Sequence, residues 1–225
     1  MELGMTAEQS KRPSTLAAQS AADAVNLKFR DSARWRAILD SAATMFASRG
    51  YEATSIQDVA GLAGITKGSL YHYIGGKDDL LFHVLMEIHD IHLDHFERYS
   101  ETPGGPLERL RAFIEGHVEV NIADIDRGSI FYLNFESLPL GRRELILEKR
   151  RHFDRFVRQV LQEAKSEGVV RQDLNVEIAA LGILTALNSM YLWWDPSRSG
   201  AVDVPRQFAD LFIAGVLDRG AELLA

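Results

Sequence analysis

The feature that most constrains this 225-residue chain is the segment from residue 38 to residue 81. It reads ILDSAATMFASRGYEATSIQDVAGLAGITKGSLYHYIGGKDDLL and predicts three short helices, separated by abrupt glycine-containing turns. The third predicted helix carries small and hydroxyl residues where a core helix would carry leucines. A helix with such a surface is suited to lie in a groove of nucleic acid. The segment therefore predicts a compact helical unit with one polar, exposed helix.

Local signals predict where these helices begin and end. Apolar residues at helical spacing define the first helix, and Gly50 follows it at a position suited to a left-handed C-cap. Thr54 with Gln57 fits a capping box and predicts the start of the second helix, which Gly64 ends. Thr66 predicts the start of a third helix of only about two turns.

The rest of the chain also has helical periodicity. A long helix is predicted at 77–100, and further helices at 107–125, 129–138, 142–166, 176–194 and 204–217. No alternation of period two, internal repeat or low-complexity block appears. The predicted fold class is therefore all-α, with about nine helices. The predicted organisation is a disordered or weakly ordered tail at 1–26, a helix-turn-helix head at 27–76 and a body at 77–225, with helix 77–100 as the connector.

Composition excludes several classes of protein. The chain has no cysteine, so it forms neither disulfides nor thiolate metal sites. No apolar run approaches the roughly 18 residues that span a bilayer, and the N-terminus lacks the basic and apolar regions of a secretory signal. We therefore expect no membrane association and a cytoplasmic location. The net charge of −7 does not decide against nucleic acid, because basic residues slightly outnumber acidic ones between residues 34 and 77.

Several motifs in fixed order within residues 38–81 make the chain resemble the TetR family of one-component transcriptional regulators. The matching residues are Thr54-Ser55-Ile56, Val59-Ala60, Ala63-Gly64, Gly68-Ser69-Leu70-Tyr71 and Lys77-Asp78-Asp79-Leu80. The chain departs from the residues more frequent in the family at Tyr73-Ile74 and at Gly76. The resemblance extends to the length and the helical remainder, and it implies a DNA-binding head controlled by a ligand-binding body.

The head supplies the candidate DNA-binding residues. Thr66, Lys67 and Ser69 offer hydroxyl and ammonium groups to the major groove, and Leu70 is predicted to anchor their helix in the core. The resemblance implies phosphate contacts for residues at the starts of neighbouring helices, which fix register without reading sequence. The full candidate set is Thr54, Ser55, Thr66, Lys67, Gly68, Ser69, Tyr71, His72, Tyr73 and Lys77.

Two structural alternatives apply to this part of the chain. The alternative for the head is a plain three-helix corner, which has no need of Gly68 and Ser69 in so short a helix. The N-terminal cations Lys11, Arg12, Lys28 and Arg30 are either an arm that reaches DNA phosphates or part of an inert tail, which is the more usual case.

The last two predicted helices favour dimerisation. Helix 176–194 is apolar nearly all round, so it must be buried on more than one face. Gly182 and Ala186 there, and Ala214 and Gly215 in the last helix, permit close helix approach. A four-helix interface between two subunits, as in the family, would place two recognition helices about one DNA turn apart on a palindromic operator. The alternative is an ordinary core helix.

Aromatic residues in the body indicate a cavity for a small hydrophobic effector. The candidate effector-binding residues are Phe131, Phe135, Arg150, Phe153, Phe156, Asn188, Tyr191 and Trp194. Asn188 needs a polar partner inside an apolar helix. Ordinary core aromatics with an internally bonded Asn188 are the alternative.

The runs GVVRQDL and LNSMYLWWDPSRSG resemble a subgroup of these regulators tied to fatty-acid and steroid catabolism, several of which respond to acyl-CoA thioesters. Lys149-Arg150-Arg151 beside two phenylalanines would pair cations for phosphates with an apolar slot for an acyl chain. A solvated basic face is the more usual meaning of such a run. A non-CoA aromatic compound is an alternative effector.

His89, His92 and His95 suggest a transition metal as another alternative effector, although the triplet drifts off one helix face. No metal ligand or cofactor is assigned on this basis. No nucleophile triad, phosphate-binding loop or metallohydrolase motif is present, so an enzyme is not expected. The chain is predicted to be a homodimeric repressor that a small effector releases from DNA. A helical ligand-binding or interaction module without DNA binding is the alternative.

Overall fold

The computed structural model describes residues 32–195 and 203–217, and over these ranges the fold is all-α, as predicted. The predicted tail and its four cations lie outside the described residues. Nine α-helices occur in the described ranges: α1 Ala33–Arg49, α2 Ile56–Leu62, α3 Lys67–Leu70, α4 Lys77–Ser100, α5 Pro106–Ala123, α6 Ile125–Asn134, α7 Leu140–Ser166, α8 Val176–Asn188 and α9 Val204–Val216. Short 3-10 helices follow α6 at Phe135–Ser137 and α8 at Met190–Leu192.

The capping box of α2 uses different residues from those predicted. Ser55 is the N-cap: its hydroxyl accepts from the Asp58 backbone N–H at 3.2 Å, and the Asp58 carboxylate accepts from the Ser55 N–H at 2.8 Å. The prediction of Thr54 with Gln57 is therefore wrong by one residue. At α3 the predicted N-cap is confirmed, because Thr66 accepts from the Ser69 N–H at 3.1 Å. That helix has a single turn rather than two.

A Schellman motif turns the chain between α2 and α3. The backbone N–H of Ile65 donates to the Ala60 carbonyl, and that of Gly64 donates to the Gly61 carbonyl. Gly64 has φ 66°, a left-handed conformation that costs glycine little. The predicted role of Gly64 is confirmed, and the turn sets α3 across α2.

The helices enclose two clusters of buried apolar residues. The first joins α1, α2, α3 and the N-terminal half of α4, and it also includes Ile130, Phe131, Leu138 and Ile146 from the body. The second lies between the C-terminal half of α4 and helices α5, α7, α8 and α9. The head is therefore packed directly onto α6 and the start of α7, not attached through the connector alone.

The crossing of α4 and α5 depends on a glycine. A Cβ atom at Gly116 would come within 1.8 Å of the Tyr99 ring. The hydroxyl of Tyr99 donates to the Glu119 carboxylate at 2.9 Å on the same helix as the glycine. This close approach fixes the relative position of two helices that form one wall of a cavity in the body.

Candidate DNA-binding surface and effector cavity

Helix α3 presents the surface that the sequence predicts for a recognition helix. Thr66, Lys67 and Gly68 are exposed and Ser69 is half-buried, whereas Leu70 is fully buried in the head core. An added Cβ at Gly68 would meet nothing closer than 3.9 Å among the described residues, so the face around it is open. The Thr66 and Ser69 hydroxyls lie 3.1 Å apart. The arrangement offers two hydroxyls and one ammonium group to a ligand outside the protein.

Thr54 does not belong to this surface, so its prediction as a DNA contact is wrong. Its side chain is 1% exposed, and its hydroxyl donates to the Gly50 carbonyl at 2.8 Å and the Met45 carbonyl at 3.1 Å. These carbonyls belong to the end of α1, where helix geometry leaves acceptors free. Thr54 thus ties the start of the helix-turn-helix to α1. The adjacent Ser55 is exposed at the N-terminus of α2.

The remaining candidate DNA contacts flank α3. Tyr71 and His72 are exposed, and Tyr73 is half-buried with its ring stacked on Trp35 at 6.1 Å. Most of the Tyr73 ring therefore serves the core. Lys77 begins α4, where its ammonium group donates to the Glu52 carbonyl at 3.0 Å. That contact places a cation at the rim of the head surface.

An ion-pair cluster fixes the start of the connector to the body. Arg142 of α7 donates to the carboxylates of Asp78 and Asp79, and the second of these is only 3% exposed. Asp79 also accepts from the Gly75 N–H at 2.8 Å. Its pairing matters because a buried carboxylate without a partner is strongly destabilising.

A second cluster links α6 to the head. Arg127 donates to Asp40 of α1 and to Glu87 of α4, the latter at 2.6 Å, and it pairs with Asp124 at 2.9 Å. Burial raises the pKa of the Glu87 carboxyl, and the guanidinium opposes that rise. Helix α6 is therefore held to the head by charge as well as by the apolar contacts of Ile130 and Phe131.

The body contains a cavity of about 380 Å³ between α4, α5, α6, α7 and α8. This size is within the range of small-molecule sites. Four of the eight predicted effector-binding residues line it: Phe131, Arg150, Phe153 and Asn188. The body therefore has a cavity beside four of the candidate residues, and their role in effector binding stays a prediction.

The other four predicted residues do not line this cavity, because their rings pack elsewhere. Phe135 stacks on Phe131 at 5.4 Å on the side of the head core. Phe156 packs against Phe96 at 4.9 Å in the second core. Tyr191 stacks on Tyr132 at 5.2 Å, outside the wall that Tyr132 forms, and Trp194 packs on Trp193.

The cavity wall contains a cluster of polar residues, of which sequence reasoning singled out Asn188, His89 and His92 separately but missed His117 and Asn121. We call it the imidazole–amide cluster, and its members are His89, His92, His117, Asn121 and Asn188. The His92 and His117 rings lie 4.4 Å apart, and His117 is hydrogen bonded to Asn188. Burial lowers the pKa of both His89 and His117 to about 4, and that of His92 well below its usual value. These imidazoles are therefore neutral at pH 7.

The histidine triplet of α4 is divided among different partners. His92 faces His117, whereas His95 lies 6.2 Å from the Tyr99 ring. Within residues 32–195 and 203–217, no group of three or more potential ligands is arranged to hold a metal ion. The geometry therefore gives no support to the metal alternative. His117 lies on the apolar face of the helix predicted at 107–125, and this position is the sequence signal that could have identified it as a buried polar residue.

Arg150 is the half-buried cation of the cavity wall. Its guanidinium lies 4.6 Å from the Phe131 ring centroid and donates to the Tyr132 hydroxyl at 3.0 Å. No carboxylate in the described parts of the chain lies within 4 Å of it, whereas Lys149 pairs with Asp90 at 2.7 Å. Arg150 is thus available to an anionic group at this wall.

A helix-turn-helix head on a helical body with an internal cavity defines a one-component transcriptional regulator. The chain belongs to the TetR family of such regulators. The family model described as bacterial regulatory proteins, tetR family, matches residues 38–84, and that described as tetracyclin repressor-like, C-terminal domain, matches residues 103–216. The family prediction is confirmed, and the chain is a DNA-binding regulator, not an enzyme.

Relatives and solved structures agree with this assignment. The transcriptional repressor KstR2 of Rhodococcus jostii is 31% identical over 191 residues, which cover 82% of this chain and 92% of the relative. The structure of KstR2 of Mycobacterium tuberculosis has a TM-score of 0.74 at 26% identity and covers 84% of this chain and 97% of its own. AibR, solved with isovaleryl coenzyme A and operator DNA, has a TM-score of 0.71 at 27% identity, covering 82% and 98%. None of the described helices is long and apolar enough to cross a membrane.

Proposed function

We propose that this protein is a dimeric repressor that binds a palindromic operator through α3 and is released from it by an acyl-CoA thioester. The observation that carries the effector class is Arg150, a cation that has no carboxylate partner among the described residues and stands over an aromatic ring in the wall of a largely apolar cavity. Thioesters of CoA combine an apolar acyl group with phosphates, so one such ligand would satisfy both features. The complex of AibR with isovaleryl coenzyme A supports the same class.

The size of the cavity decides which part of the ligand it takes. A volume of about 380 Å³ accommodates an acyl group but not the nucleotide of CoA as well. The nucleotide would therefore lie outside. Arg151 is exposed on the same wall beside Arg150 and would be a second cation for the phosphates of the nucleotide.

An uncovered apolar face supports dimerisation. Ile178 and Leu181 on α8 and Leu211 on α9 are 62–69% exposed. Added Cβ atoms at Gly182 and Gly215 would meet nothing within 4 Å, so no part of the described protomer packs on these glycines. The same helices of a second copy would cover this face and place two heads on one operator.

Helix α6 supports a coupling between cavity and head. Phe131 lines the cavity and also packs in the head core, and Arg127 one helical turn earlier contacts Asp40 of α1. A ligand that moves Phe131 would therefore bias the position of the head. The shift in operator affinity can be no larger than the difference in effector affinity between the two states.

A titration of the protein–operator complex with acyl-CoAs of graded chain length tests the proposal. Fluorescence anisotropy of a labelled operator should fall with added thioester, and CoA alone or the free acids should be weaker. Arg150→Met should weaken the response about tenfold or more, because hydrogen bonds to charged groups are the stronger ones. Arg155→Met changes an exposed cation of the same helix that does not line the cavity and should have little effect. Unchanged operator affinity across the whole series would remove this ligand class.

A further inference from the structure

We infer that the acyl group of the effector carries an uncharged oxygen function, a hydroxyl or a ketone, which the imidazole–amide cluster recognises by hydrogen bonding. The inference takes the CoA thioester from the proposed function, whereas the oxygen function is argued from the cavity wall alone. It assigns His89 as the residue that distinguishes such a ligand from a saturated chain of the same length.

His89 is built into the cavity wall with an unused hydrogen-bonding atom. Its side chain is 5% exposed, and its Nε2 atom is buried without a hydrogen-bond partner in the described ranges. The ring packs against Phe153 at 5.3 Å, which fixes its plane. Buried polar atoms are almost always hydrogen bonded in native proteins, so an orphan in the wall of a cavity points to a partner that arrives with the ligand.

The neighbouring polar groups also have unused hydrogen-bond donors and acceptors. His117 and Asn188 are hydrogen bonded to each other, and the Asn121 amide donates to the Leu187 carbonyl at 2.9 Å. These contacts leave further donor and acceptor positions on the imidazoles and amides, since each amide has two donors and an acceptor. A wall that only had to hold a saturated chain would gain nothing from three histidines and two asparagines.

The electrostatics of the wall select a neutral group. The imidazoles are uncharged at pH 7, so the cluster offers no cation to hold a carboxylate at depth. A neutral imidazole has one donor and one acceptor nitrogen, so it can pair with a hydroxyl, which both donates and accepts, or donate to a ketone oxygen, which only accepts. The charge of the ligand is instead met by Arg150, which faces the same cavity.

The energetic consequence is discrimination against saturated chains. A saturated acyl group would strip water from His89 and the amides without replacing its hydrogen bonds, whereas an oxygen function would replace them. Sites that hydrogen-bond a substrate hydroxyl reject analogues that lack it far more strongly than apolar pockets reject an extra methylene.

Matched ligands test this in the wild-type protein. A set of hydroxy- and oxo-acyl-CoAs, with the oxygen at each successive carbon, is compared with the saturated acyl-CoA of the same length by calorimetry and by operator release. We expect at least one oxygenated isomer to bind about tenfold or more tightly than the saturated thioester. If the saturated thioester binds as tightly as every isomer, the inference is overturned.

A variant and a second ligand series assign the effect. His89→Leu should reduce the preference for the oxygenated isomer to less than about twofold. Arg155→Met, on an exposed residue of α7 that does not line the cavity, should retain it. If His89→Leu does not fold, His89→Gln replaces it and should retain part of the preference. Methyl esters of the same acids separate the two proposals: a preference among the esters without any gain from CoA keeps this inference and removes the acyl-CoA class.

Discussion

The head and the effector cavity satisfy their polar groups in opposite ways. In the head, Thr66 caps a helix through Ser69 and Ser55 caps another through Asp58, so each partner lies three residues away. In the cavity, His117 meets Asn188 from a helix far along the chain, and the His89 Nε2 atom has no partner in the part of the chain that the structure describes. The difference shows that a DNA-reading surface is set by local capping, whereas the ligand site exists only once five helices have packed.

The largest effect is expected from a variant that breaks the contact between the head and the body. Arg142→Met leaves the buried Asp79 carboxylate without its guanidinium, and removing one partner of a buried pair costs about 3–5 kcal/mol. Urea unfolding should show a loss of this order. The control is Arg151→Met, since that arginine and its partner Glu148 are both exposed, and its loss should cost less than about 1 kcal/mol. Equal losses in the two variants would show that the ion-pair cluster does not hold the head to the body.

Acidification should destabilise the protein through the histidines of the cavity wall. His89 and His117 stay neutral in the folded chain down to a pKa of about 4, but in the unfolded chain they take up protons near 6.5. The unfolded state thus binds more protons as pH falls, and stability declines from about pH 6.5 until the folded pKa is reached.

The slope of that decline can be assigned to single residues. It should reach about 1.4 kcal/mol per pH unit for each histidine. Lys149, Arg150 and His152 oppose a positive charge on His89, whereas Asp90 favours one. Thermal or urea unfolding between pH 7 and 5 should give a shallower slope for His117→Gln than for the wild type. Parallel slopes would place the pH dependence elsewhere.

The smallest expected effects separate stability from DNA reading within the head. Thr54→Val removes a hydroxyl that bonds two backbone carbonyls, so stability should fall by about 1–3 kcal/mol. The operator affinity of the Thr54→Val variant, measured at low temperature where it stays folded, should have the same salt dependence as that of the wild type. Lys67→Ala should do the reverse, with little loss of stability and a changed preference among operator base sequences, because the lysine is expected to offer its ammonium group to the major groove. A changed salt slope in Thr54→Val would restore that residue to the DNA surface.

The sequence was sufficient for features that depend on short spacing. The bounds of α4, the left-handed Gly64 and the buried Leu70 all follow from residues within one or two turns. The burial of Thr54 was not predicted because its hydroxyl turns back to the carbonyls of Met45 and Gly50 at the end of α1, a contact that no N-capping pattern contains.

The cavity wall was only half predictable for a related reason. Phe153 and Phe156 are both apolar and lie one turn apart, yet only Phe153 lines the cavity. The choice depends on the rotation of α7 against α4 and α5, and Phe156 instead meets Phe96. His117 was overlooked because its partners come from helices distant in sequence. Such positions are decided by packing between helices, which periodicity alone does not specify.

The shared position of α6 has a consequence for the timing of gene expression. Phe131 serves the cavity and the head core together, so it is placed to couple the two. Coupling between two binding sites is reciprocal, so any weakening of operator binding by the proposed effector is matched by an equal weakening of effector binding by the operator. A strong operator then requires a higher effector concentration than a weak one. Promoters controlled by this one protein would become active one after another as the effector accumulates, in an order set by operator strength alone.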